Sequence, residues 1–291
     1  MSFAYLKQIT DLAKTKNEPF WKIVIEDDMK ERNVSFEESF ETMRKMYREM
    51  KHADESYDAT LRSASGLVGG DGAKLEEFHK RKNALIGDYL TSVMEKAVKM
   101  GESNACMKRI VAAPTAGSCG VIPAVLLSYE NFNGIDEDKM VEALFVSAGI
   151  GEVLATSASI SGAQGGCQAE IGSASAMAAG AITYLEGGNE EEIVHAAALA
   201  LKNMLGLTCD PVAGLVEVPC IKRNVSGAVN AVISSQMSIA GIRSAILPDE
   251  VVDSMRRIGN LIPTCLRETS QEGLATTSTA LKVARQLKGE E

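Results

Sequence analysis

The chain has 291 residues, 45% hydrophobic and 24% charged, the balance of a folded globular protein and not of a disordered one. Its 39 acidic against 30 basic side chains give a net charge of −9. That argues against nucleic acid or an anionic membrane as partner, since both need clustered positive charge. The length suits one large domain or two small ones.

Aromatic residues make up only 5%, so a core rich in Gly, Ala, Ser and Met must pack small side chains closely. Residues 1–10 lack the charged start and apolar run of a secretory leader, so a cytoplasmic protein is expected. The most apolar stretch, 140–164, carries Glu142 and Glu152 and reads as buried interior, not a lipid span. Six cysteines in such a chain are expected to be thiols or metal ligands and not disulfides.

In chain order, apolar residues at helical spacing predict helices over 3–14 and 20–30. Ser35 with Glu38 gives a capping box ahead of Phe36, Phe40, Met43, Met46, Tyr47 and Met50, a core-facing stripe. Residues 63–72, rich in Gly and Ser, break the period and read as a loop. They divide an N-terminal helical arm, 1–64, from a body, 65–291. A helix is predicted over 74–100. Further helices follow over 121–129, 138–154, 167–185, 190–205, 228–245 and 249–259, several stopping at a glycine such as Gly187 or Gly206. Alternation typical of strands is hard to find. The prediction is an all-α or nearly all-α protein.

Three segments stand out. Residues 112–123 hold Thr115, Ser118 and Cys119 between Pro114 and Pro123. Residues 161–172 hold Cys167 behind Gly165 and Gly166. Residues 209–224 begin at Cys209, pass Pro211, Pro219 and Cys220, and end on Lys222, Arg223 and Asn224. Each sets a thiol or hydroxyl in a Gly/Pro loop at a helix end, where backbone N–H groups stabilise anions. Cys167, Cys209 and Cys220 form no tight Cys-x-x-Cys pair, which disfavours zinc-ribbon and ferredoxin spacings. Three thiolates gathered by the fold would suit a four-iron cluster with one open, Lewis-acidic iron. Burial as small hydrophobes is the competing reading of the same cysteines.

Together the three segments resemble the α chain of iron–sulfur-dependent L-serine dehydratase in its two-chain bacterial form. The resemblance runs from 65–71, Ser-Gly-Leu-Val-Gly-Gly-Asp, through 268–275, and its most specific stretches are 161–177 and 209–224. It implies that Cys167, Cys209 and Cys220 hold a [4Fe-4S] cluster, with no ligand role for Cys106, Cys119 or Cys265. It implies a lyase converting L-serine to pyruvate and ammonia, in amino-acid catabolism and gluconeogenesis. Asn104, Thr115, Ser118, Lys222, Arg223 and Asn224 are the candidates for grasping the substrate; capping and turn formation are the competing roles for each.

The resemblance further implies a catalytic histidine in a Ser-Ser-His-Thr segment, which the two-chain form carries on its β chain. The general base is therefore expected on a β-chain partner in a heterodimer. Here His195 lies on an apolar helical face, a core position, while His52 and His79 lie among charges and are expected to be solvated. Single-chain relatives can plug the open site with a C-terminal cysteine, whereas residues 288–291 are Lys-Gly-Glu-Glu. Gln271-Glu272-Gly273 departs from the more usual double glycine of that loop. Two other readings remain open: a non-catalytic iron–sulfur or zinc protein with a closed site, the fourth ligand coming from Cys119 or Cys265, and a lyase for a different hydroxy acid.

Overall fold

Ser35 does what its sequence context predicts. Its hydroxyl accepts the Glu38 N–H at 3.2 Å, and the Glu38 carboxylate accepts the Ser35 N–H at 3.0 Å. In the computed structural model, which describes residues 3–290, this box opens α3 (Phe36–Glu55) after α1 (Leu6–Lys16) and α2 (Phe20–Arg32). Then come α4 (Asp71–His79), α5 (Gly87–Ala105), α6 (Val121–Asn133), α7 (Glu137–Ser157), α8 (Gly162–Gly165) and α9 (Ser173–Leu185). The series closes with α10 (Glu190–Lys202), α11 (Cys220–Ile239), α12 (Pro248–Leu261) and α13 (Ser278–Lys288). The chain is 69% helical with no strand among the described residues, so the nearly all-α expectation holds.

At the centre lies α9, packed against α7, α10 and α11. Every residue from Ser173 to Thr183 is buried, which is why this helix is built from Ala, Ser and Gly. Helix α7 is long and apolar enough to cross a membrane by length and composition, yet most of it is buried inside the protein. Its Phe145 stacks on Phe40, which stacks on Phe36 with Trp21 against both, joining α2 and α3 to the interior. One apolar cluster runs from Phe3, Leu6 and Ile9 through Val125 and Ile150 to Ala231 and Met255. Buried hydroxyls tie neighbouring helices: Ser92 to Ser128 at 2.9 Å, and Ser175 to the Gly227 carbonyl at 2.7 Å.

Several boundaries differ from the sequence reading, among them the end of α11 at Ile239 and not 245, and four bear on the site. The single helix over 74–100 is two, because the chain turns at 80–86 through Lys82 and Gly87, both at positive φ. The loop over 63–72 ends two residues early: α4 starts at Asp71, its N-terminus capped by the buried Glu102 carboxylate, which accepts the N–H groups of Asp71 and Gly72 at 2.8 and 3.0 Å. The helix over 167–185 begins as a π turn, Gln168–Gly172. And α11 starts at Cys220, not at 228. This last shift puts Cys220, Lys222, Arg223 and Asn224 on the first helical turn instead of in a loop.

Gly120, at the head of α6, is approached by both α5 and α11. A Cβ there would stand 2.7 Å from the Ala97 carbonyl oxygen and 3.1 Å from Asn224 Oδ1. Because backbone cannot move aside cheaply, Gly120→Ala is expected to cost about 1–3 kcal/mol, the range for overpacking. Thermal unfolding reads this as a lowered midpoint, and an unchanged midpoint would contradict so close an approach.

Candidate functional site

Four stretches distant in sequence meet at the start of α11. The first is the turn before α6, where Thr115 and Ser118 hold their hydroxyls 3.2 Å apart. The second runs from α8 through Gly166, at φ +75°, into Cys167 and the π turn that carries Glu170. The third is 207–212, with Cys209 bridged to 266–268: its N–H donates to the Leu266 carbonyl at 2.9 Å, and its carbonyl accepts the Glu268 N–H at 2.7 Å. The fourth is the first turn of α11 itself.

Two side chains of that turn hold the stretches in register. Asn224, 1% exposed, donates to the Gly117 and Cys220 carbonyls at 2.8 and 2.9 Å and accepts the Gly120 N–H at 2.8 Å. Its amide is fully engaged. Arg223 donates to the Thr208 carbonyl at 2.8 Å and to Asp210 Oδ1 at 3.0 Å, and its charge acts on the neighbouring Cys167 thiol. Asp210, buried, uses its other oxygen to accept the Leu274 N–H at 2.9 Å, fastening the 273–276 turn. The departure from a double glycine leaves this contact intact, because Gly273 remains at the position facing Asp210.

Cys167, Cys209 and Cys220 are all buried; Cys209 feels the charge of both others, and Cys220 feels that of Cys167. Burial pushes the Cys167 thiol up to about 11, although Arg223 beside it works the other way. Cys220 rises to about 12, through burial first and then the neighbouring Cys167 and Glu170. Cys209 goes higher still for the same reasons, with Cys167, Glu170, Cys220 and Glu268 all adding negative potential. Among the described residues, no three His, Cys, Asp or Glu side chains stand together as ligands for a single metal ion.

Of the other three cysteines, one senses this group. Cys119 is fully buried against Met100 and Ala53, its thiol pushed up to about 12 by that burial and in smaller part by Cys220. Cys106 and Cys265 are partly exposed. Of the remaining candidates, Asn104 donates to the Ala116 carbonyl at 3.2 Å, supporting the Thr115–Ser118 turn. Lys222 is exposed and pairs with Asp71 at 2.6 Å. With Lys74, it holds the Asp71 carboxyl down at about 2.

None of the three histidines joins the site. His52 is exposed on α3. His195 accepts the Ser244 N–H at 3.2 Å, a half-buried structural position. His79 corrects the expectation of a solvated side chain: its Nδ1 lies 2.9 Å from Glu95 Oε2 and its Nε2 is buried without a partner.

Sequence reasoning missed Glu170, Asp210 and Glu217. Glu217 is buried and accepts the hydroxyls of Ser63 (2.8 Å) and Ser65, which docks the 63–70 loop three residues before Cys220. Glu170 accepts the Thr115 hydroxyl at 2.8 Å and lies 4.0 Å from the Cys209 sulfur. It had a signal: it is the only charged residue between Glu152 and Glu186. A charge placed in so apolar a run needs a reason. Nearby, a cavity of about 250 Å³ opens between the 159–168 stretch and α12, with Gln164, Gln168 and Arg267 among its walls.

Comparison with known proteins gives the chain a family. The family model for the serine dehydratase alpha chain matches residues 15–275. A probable L-serine dehydratase alpha chain of Bacillus subtilis is 43% identical over 99% of this chain and 96% of its own length. The L-serine dehydratase alpha chain of Peptoniphilus asaccharolyticus is 37% identical over 96% of each. An L-serine dehydratase of Streptomyces coelicolor is 45% identical over 67% of this chain, which there is only 44% of the relative's length. With the match running nearly end to end and taking in all four stretches of the site, the chain belongs to the serine dehydratase alpha chain family.

Proposed function

We propose that this chain is the cluster-bearing part of a lyase that converts L-serine to pyruvate and ammonia. The observation that carries the reading is the gathering of three buried, electrostatically coupled thiols around Glu170 and the head of α11. Sulfurs around one ion bonded at ~2.3 Å must nearly touch, whereas a [4Fe-4S] cluster takes its thiolates at separate corners of a cube. Three coupled thiols brought in by separate segments suit the larger group. Cys167, Cys209 and Cys220 would hold it, losing their protons on binding, so loading is expected to release acid.

When bound, such a cluster supplies a Lewis-acidic iron toward the departing hydroxyl. What this chain's residues do follows from their positions. Thr115 and Ser118 present hydroxyls to the substrate, with Asn104 holding their turn. Arg223 keeps Cys167 and the 208–210 segment together and adds positive potential for a carboxylate. Asn224 fixes the helix end against Gly117 and Gly120, and Lys222 anchors the neighbouring Asp71. Water leaves serine by loss of the α-proton and the β-hydroxyl. The resulting aminoacrylate tautomerises to an imine, and one water hydrolyses it to pyruvate and ammonia. The base for the α-proton comes from the β-chain partner, since no histidine here reaches the site. Six unpaired thiols suit the reducing cytoplasm.

The test is anaerobic reconstitution of the chain with its partner, followed by iron, sulfide and pyruvate assays on L-serine. Pyruvate formed in step with iron content is the expected result. Pyruvate from iron-free protein supplied with pyridoxal phosphate would overturn the reading.

A further inference from the structure

We infer that the Glu170 carboxylate receives the α-ammonium group of the substrate and so selects amino acids over hydroxy acids. The inference rests on the reading of the site as an L-serine lyase. Glu170 projects from the π turn three residues after Cys167, with Oε1 on the Thr115 hydroxyl at 2.8 Å and Oε2 at 4.0 Å from Cys209 Sγ.

Its surroundings are small and carry no positive charge. A Cβ on Gly162 would stand 2.8 Å from Oε2 and 3.1 Å from the Cys209 sulfur, and one on Gly117 3.1 Å from Oε1. Two walls of this corner are therefore bare backbone. The groups that act on the carboxylate are a hydroxyl, the thiols and a second acid, Glu268. Of the cations in this region, Arg223 is bonded to Thr208 and Asp210, and Arg267 to the Gln164 carbonyl and Thr264. Among the described residues no lysine or arginine forms an ion pair with Glu170.

Glu170 is half-buried, and a carboxylate drawn partly out of water without a cation is disfavoured. A cationic ligand removes the cost. Serine's ammonium brings three donors on a compact centre, suited to a carboxylate whose Oε1 holds only the Thr115 hydroxyl and whose Oε2 has only the long Cys209 thiol contact. Because that oxygen adjoins Cys209, the ammonium would lie on the thiol side of the substrate, one carbon from the hydroxyl-bearing carbon. An analogue without the ammonium would leave the half-buried acid without a cation, and a site built around a polar contact discriminates against a ligand that lacks it.

The experiment uses the anaerobic enzyme assembled with its partner, as wild type, Glu170→Gln and Glu170→Asp. The readouts are iron and sulfide content, Kd for L-alanine (an amino acid with no hydroxyl to lose), inhibition by pyruvate (no ammonium), and KM and kcat for L-serine. Glu170→Gln should keep its iron and sulfide and bind pyruvate as before, while binding L-alanine ten- to a hundredfold more weakly, the loss of a charged hydrogen bond. KM for L-serine should rise with it, and Glu170→Asp should regain part of the L-alanine affinity. Equal weakening of L-alanine and pyruvate, unchanged L-alanine binding, or loss of iron and sulfide from both variants would overturn the inference. A wild type that makes no pyruvate from L-serine fails the lyase reading instead, and the contrast between L-alanine and pyruvate still reports on the ammonium contact.

Discussion

Cys167→Ala is expected to abolish cluster and activity together: iron and sulfide should fall to background in the anaerobically reconstituted protein, and pyruvate formation should drop by about 10³-fold or more. The size follows from the chemistry, since Lewis-acid assistance to a poor leaving group supplies several kcal/mol and each 1.36 kcal/mol is tenfold in rate. Truncation also leaves Arg223 without its thiol partner, while its bonds to Thr208 and Asp210 keep the segment in place. The change should therefore act on the cluster and not on the fold. Cys119→Ala is the paired control. That thiol is fully buried against Met100 and senses Cys220, so it is the best-placed fourth sulfur for a closed, non-catalytic site. Iron and activity surviving Cys119→Ala favour the open site; loss of both would favour the closed one. Retention of cluster and activity in Cys167→Ala would remove that ligand from the account.

The second large effect concerns the partner. Reconstituted alone, the chain should form pyruvate at least a hundredfold more slowly than with its β chain, because general-base catalysis contributes about 10²–10⁴-fold. Conversely, the variant carrying His52→Ala and His195→Ala should keep the activity of the assembled enzyme. One of these side chains is exposed on α3, and the other is held by Ser244 away from the thiols. His79 is left out of this variant because its ring is bonded to Glu95 in a buried position, where truncation would test stability. Full activity of the chain alone would place the base here and contradict the division of labour.

Much of this was legible in the sequence because local signals and tertiary demands agreed. The Ser35 box, the continuous apolar run of α7 and the small residues of α9 each had one structural solution. The start of α11 was not legible. Residues 220–227 include β-branched residues, an Asn and a Gly, all weak helix formers, and they are held helical by the bonds of Arg223 and Asn224 to other segments. The break between α4 and α5 depends on positive φ at Lys82 and Gly87, and a periodicity of apolar residues passes over such a break unseen. The C-terminal helix α13 also went unread; its Ala280 and Val283 pack against Val212, a contact between segments that only the fold brings together.

At the site, the three cysteines and Thr115 could be picked out because thiols and hydroxyls in Gly/Pro loops are unusual. Glu170 was passed over because a single acid next to a cysteine motif looks like a solvated charge until the apolar length around it is counted. Asp210 and Glu217 are of another kind. Their roles, fastening 273–276 and 63–70 to the thiol-bearing segments, exist only in three dimensions.

Iron-edge anomalous diffraction from crystals of the anaerobically loaded protein tests the account most directly. The account predicts one compact group of iron scatterers bonded to the sulfurs of Cys167, Cys209 and Cys220 and to no fourth cysteine. Iron bound to Cys119 or Cys265, or scatterers away from the head of α11, would contradict it.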